Sequence, residues 1–197
     1  MMIEELLDKQ RAFYESGNTL DTRSRRAMLQ ILANTVEEKA GDDPGTPAIL
    51  DDIADVRKHL YKWTGTGRIR LLMSLFAPPG KDGPIPFGCS LIDASGAGDS
   101  LPAILLPLVS ALAAGNTAVL MVPDSPAGNA ASQIIDDTFT DDFVAAVPAG
   151  DVPAEGLDSL DFSLIHVCGS GTPCTGLEGF LAFSSDPDAS TEPKRLP

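Results

Sequence analysis

The 197-residue chain is 43% hydrophobic and carries a formal charge of −14, which suits one soluble domain with a substantial core. Residues 1–81 balance 12 basic against 12 acidic side chains, whereas residues 82–193 hold 16 acids and no Lys or Arg. That second half repels polyanions and excludes nucleic acid as a partner. The longest apolar run, residues 101–115, contains Pro102 and Pro107 and falls short of the roughly 20 residues that a bilayer span needs, so no membrane span is expected. The acidic, amphipathic N-terminus lacks the basic start of a signal peptide. Three cysteines form no disulfide framework and suit a reducing compartment, so a cytoplasmic location is expected.

In chain order, apolar residues at helical spacing (Ile3, Leu6, Leu7, Phe13) predict a helix over 3–15, broken by "SGNT" at 16–19. A second helix is predicted from about Thr22 to Lys39, with Met28, Leu29, Ile31, Leu32 and Val36 inward, and a third over Ile49–Trp63. Residues 68–76 read as a strand and "APPGKDGPIP" as a Pro/Gly linker. Beyond it, short β-prone runs at 88–93, 117–122, 142–147 and 162–168 alternate with helical segments at 100–114 and 127–138. A shorter connection spans 151–160. A last helix is predicted over 176–183, and the polar, Pro-rich tail 185–197 is expected to be loose. The alternation implies βαβ units with right-handed crossovers. The predicted fold is α/β, with helices over 1–81 packing on a small open parallel Rossmann-like sheet formed by 82–184.

Four stretches carry a family resemblance: "RAFYESGNTLDTRSRRAMLQIL", "DDIADVRKHLYKW", "PFGCSLI" and "LLPLVSALAAGNTAVLMVPDSP". Over residues 11–175 the chain resembles the first part of the aldehyde dehydrogenase superfamily, closest to its fatty-aldehyde branch. The resemblance implies that family's cofactor domain, here truncated and degenerate. Members oxidise aldehydes with a Cys nucleophile, a Glu base, an Asn oxyanion donor and NAD. The turn that would carry the Asn reads "ASGAGDS", with Ala97 or a neighbouring Gly in its place. An oxyanion donor is worth ~3 kcal/mol of barrier. The Lys that would hold the adenosine ribose aligns with Met121, and the "G-S-T-x-x-G" turn reads "GSGTPC". The nucleophile and base belong to segments past residue 197. The resemblance therefore implies a shared fold without the family's reaction, and no cofactor is expected.

"LIDASGAGDS" is a strand that ends in a Gly-rich turn opening a helix. It reads either as a tight βα turn or as a ligand-facing loop at the carboxyl end of a parallel strand. In the second case Ala94, Gly96, Ala97, Gly98, Ser100 and Met121 would line a ligand, and Asp93, Ser95 and Asp99 would supply acid/base or hydrogen-bonding groups. "HVCGSGTPC" places His166 and Cys168 on one strand face, with His166 a candidate general base. With no second Cys/His cluster, no metal site is expected. Three functions fit. The chain could bind a hydrophobic small molecule and promote a non-redox biosynthetic step such as cyclisation or isomerisation. It could be a dead interaction subunit, pairing with itself or a full-length relative through an exposed sheet edge. It could support residual aldehyde oxidation completed in trans.

Overall fold

A computed structural model describes residues 3–64, 86–152, 160, 162–168, 181–184 and 194–195. Three helices lead: α1 (Ile3–Glu15), α2 (Thr22–Ala40) and α3 (Thr46–Trp63). They are followed by β1 (Cys89–Asp93), α4 (Leu101–Ala114), β2 (Thr117–Val122), α5 (Pro126–Thr138), β3 (Val144–Pro148), β4 (Leu164–Val167), β5 (Leu181–Ser184) and β6 (Lys194–Arg195). Asp21 caps α2 by accepting from the Ser24 amide, while Ser100 and Ser125 cap α4 and α5, each followed by a proline in the first turn. The predicted strand at 68–76 lies outside the described residues.

The sheet order is β3-β2-β1-β4-β5-β6, parallel except for β5–β6. The predicted α/β architecture with an open parallel sheet is therefore present. Two expectations fail at its far side. Leu181–Ser184 is a strand rather than the end of a helix, and Lys194–Arg195 of the tail pairs with it. An eight-residue helix is marginal on its own, whereas the free edge of β4 offers backbone partners at once.

Side chains alternate across the sheet. On one face, Ile92, Ala118, Leu120 and Val122 join α2, α3, α4 and α5 in the larger core. On the other, Leu91, Val119 and Met121 pack under Leu6 and Leu7 of α1, with Val152, Leu160 and Phe162. Each fully buried Leu or Ile contributes about 1.5–3 kcal/mol. Gln10, with no exposed surface, ties α1 to the sheet by donating to the Ala118 and Asp141 carbonyls.

Three of the four stretches that carry the family resemblance meet in one knot. Gly115 ends α4 at φ 91°, and a Cβ there would lie 2.5 Å from the Arg25 guanidinium. Arg25, 8% exposed, donates to the Thr19, Leu20 and Ala113 carbonyls and so compensates the carbonyl end of α4. Asn116, also buried, accepts from the Gly88 amide, joining the start of β2 to the entry of β1. Tyr14 donates to the Pro86 carbonyl beside it.

The edge strand β3 is blunted. The Ala118 amide donates to the Phe143 carbonyl, so residues 143, 145 and 147 turn their backbone groups toward β2, and 144, 146 and 148 turn theirs outward. The Val144 amide is already bonded to Thr140, and Pro148 has none, so Ala146 supplies the outward donor of this strand.

Candidate functional site

The strand order reverses at β1. The chain steps from β1 to β2 to β3 on one side and returns to β4 on the other. In open α/β sheets such a switch point leaves a crevice at the strands' carboxyl ends, where ligands bind. Its walls are the loop after β1 and the end of β4, joined where the Cys168 amide donates to the Asp93 carbonyl at 2.8 Å.

The loop Ala94–Ser100 therefore stands where a ligand-facing loop belongs, but its polar groups are spent on the loop itself. Asp93, 4% exposed, accepts from the Ser95 amide at 3.0 Å and the Ser95 hydroxyl at 2.6 Å. A short 3-10 turn, Ser95–Ala97, follows. The buried Ala94 donates its amide to the Met121 carbonyl, and Ala97 packs against the larger core. Ser100 accepts from the Ala103 amide as the cap of α4. Asp99 accepts from the Ala127 amide at 2.8 Å, in the first turn of α5. Ser125 donates to the Gly98 carbonyl and accepts from the Gly128 amide. The loop after β1 is thereby clasped to the start of α5. Gly98, at φ 64°, makes the turn, with open space where a Cβ would be. Gly96 is exposed.

The remaining candidates do not converge. Met121 pairs in register with Asp93 and lies in the smaller core under α1, 4% exposed. His166 pairs with Ile92, which belongs to the opposite, helix-covered face, so Asp93 and His166 are separated by the sheet. Burial holds the His166 imidazole below its ordinary pKa, and its Nε2 is buried with no hydrogen-bond partner among the described residues. Cys168 is fully buried in the larger core, on the His166 face. Among the described residues no group of three or more His, Cys, Asp or Glu could hold a metal ion.

A cavity of about 380 Å³ lies elsewhere, at the end of α2 between Glu37 and Asp43 and beside Ala130 of α5. The clasp built by Asp99 and Ser125, and the buried Arg25, are the features the sequence reading passed over. The Ser-Pro pair at 125–126 was the available signal for the clasp, as a cap followed by proline.

No family model matches the chain. It is 31% identical over 188 residues to 4,4'-diapolycopene-4,4'-dial dehydrogenase of Cytobacillus firmus, an alignment covering 86% of this chain and 41% of that protein. It is 25% identical over 189 residues, with the same coverage, to 4,4'-diaponeurosporen-aldehyde dehydrogenase of Staphylococcus aureus. The chain is aldehyde-dehydrogenase-like. A substrate-bound structure of Staphylococcus aureus AldH superposes with a TM-score of 0.63 at 21% identity, over 84% of this chain and 40% of that one, and shows the same fold. The chain spans about two-fifths of the length of these aldehyde dehydrogenases.

The described groups of this aldehyde-dehydrogenase-like site do not fit the adenosine end of NAD. Met121, where the sequence resemblance puts the family's ribose-binding Lys, is packed in an apolar core. The first turn of α5, whose amides would favour a phosphate, already holds the Asp99 carboxylate. Asp124 precedes that turn, and residues 82–193 contain no Lys or Arg. Among the described residues no helix is long and apolar enough to cross a membrane.

Proposed function

We propose that this aldehyde-dehydrogenase-like chain works without NAD, binding a neutral hydrophobic small molecule at the switch-point crevice and promoting a non-redox biosynthetic step. The observation that carries this reading is the Asp99 carboxylate on the Ala127 amide, in a region of the chain devoid of cations. A phosphate-bearing cofactor would meet repulsion there, whereas a neutral ligand would not. A hydrophobic ligand is supported by the relatives, whose names make them dehydrogenases of a diaponeurosporen-aldehyde and a diapolycopene-dial. An aldehyde of that kind is the ligand class to try first. Shape and positioning alone can lower the barrier to an intramolecular rearrangement. Three cysteines without a disulfide framework in the sequence support a reducing, cytoplasmic setting.

The interaction-subunit alternative draws less support, because β3 offers one outward backbone donor and ends in proline. The test is native mass spectrometry of the purified chain mixed with hydrophobic aldehydes, with NADH titration as its control. A stoichiometric aldehyde complex without NADH binding supports the proposal. Binding of NADH, or of no aldehyde at all, overturns it.

A further inference from the structure

We propose that His166 makes the β1–β4 junction acid-labile, so that protonating its ring loosens β4 from β1 and opens the crevice at their carboxyl ends. His166 lies on an interior strand, in register with Ile92 on one side and Phe183 on the other. Its Nε2 is buried and lacks a hydrogen-bond partner among the described residues. Among the described residues, the Cys168 thiol shares its face of the sheet and no charged side chain stands there to meet the charge it would gain. On β1, Asp93 projects to the opposite face of the sheet and is engaged with Ser95. The β5 segment "LAFS" and the whole of α4, which packs on β1, contain no titratable side chain. Burial lowers the imidazole pKa, with no charged group among the described residues opposing it.

The sign follows from proton linkage. The folded ring binds its proton less readily than the unfolded ring, whose pKa is about 6.5. Stability is therefore intact above about 6.5 and is lost as pH falls from there to the folded value below it. Two backbone bonds report the junction: the Cys168 amide to the Asp93 carbonyl and the Ser163 amide to the Cys89 carbonyl, both 2.8 Å. Releasing the first frees the loop that walls the crevice. This inference concerns the junction and stands whether or not a hydrophobic ligand binds there.

The experiment is amide hydrogen exchange at about pH 7.5 and about pH 5.5, corrected for intrinsic rates, on the wild type, His166→Phe and His59→Asn. His59 is the second of the chain's two histidines and is bonded to Asp55 on the surface of α3. Protection of the Cys168 and Ser163 amides should fall in the wild type and in His59→Asn by up to about tenfold, the limit set by working one pH unit below the unfolded pKa of about 6.5. In His166→Phe it should not fall. Equal loss in His166→Phe, or no loss in the wild type, overturns the proposal. Should His166→Phe fail to fold, the ring is titrated in the wild type by NMR, with His59→Asn giving the assignment. A His166 pKa clearly below about 6.5 supports the proposal, and one at or above it refutes it.

Discussion

Replacing Arg25 by Met tests the knot that ties the helical front of the chain to its sheet. Met keeps much of the volume and removes every donor. Three carbonyls lose a partner: Thr19 at 2.6 Å, Leu20 at 3.2 Å and Ala113 at 3.2 Å. A buried acceptor left unsatisfied costs about 1–3 kcal/mol, and sparing the desolvation of the guanidinium offsets part of that sum. The net loss is roughly 3 kcal/mol. Arg25→Lys keeps the charge without the planar fork and should lose about half as much. The assay is urea unfolding, where a slope of roughly 3 kcal/mol/M makes the Arg25→Met midpoint fall by about 1 M. Gly115→Ala completes a cycle. It suffers the positive φ in any background, but the contact with the guanidinium only when Arg25 is present. Its cost should therefore shrink in the Arg25→Met background. An Arg25→Met protein within about 0.5 kcal/mol of wild type, or strictly additive costs, would refute the assigned role.

Three further outcomes are expected. Asn116→Ala removes the acceptor of the buried Gly88 amide and should cost about 1–2 kcal/mol in the same assay, with the fold retained by circular dichroism. Asp99→Ala removes a carboxylate from the first turn of α5 and should cost about 1 kcal/mol, with faster exchange of the Ala127 amide. Met121→Lys puts an ammonium into an apolar cluster and should lower stability by a few kcal/mol, without conferring NADH binding or NAD-dependent oxidation.

The helices and the βαβ core were legible because their signals are local and strong. Apolar spacing and the Ser-Pro starts mark the helices, and uninterrupted runs such as "TAVLMV" mark buried parallel strands. Segment 181–184 was misread because four residues carry little periodicity of their own, and pairing with β4 decides their conformation. The position of the candidate loop was legible too, since a strand followed by "ASGAGDS" has to turn into α4. What the loop does with its polar groups was not. Asp99 and Ser125 are 26 residues apart in sequence, and only the parallel pairing of β1 with β2 brings their loops together. Alternation alone could have separated Asp93 from His166, but only once the register Ile92–His166 is known. Nothing local in the sequence marks Arg25 as buried. Its burial depends on the left-handed turn at Gly115, about 90 residues away.

The central claim is that the fold of an aldehyde dehydrogenase's cofactor side persists here without its cofactor contact. It is tested most directly by titrating the purified chain with NADH and following nicotinamide fluorescence. The account predicts no saturable change up to ~1 mM, an affinity weaker than about −4 kcal/mol. A saturable enhancement with a midpoint in the micromolar range would contradict it.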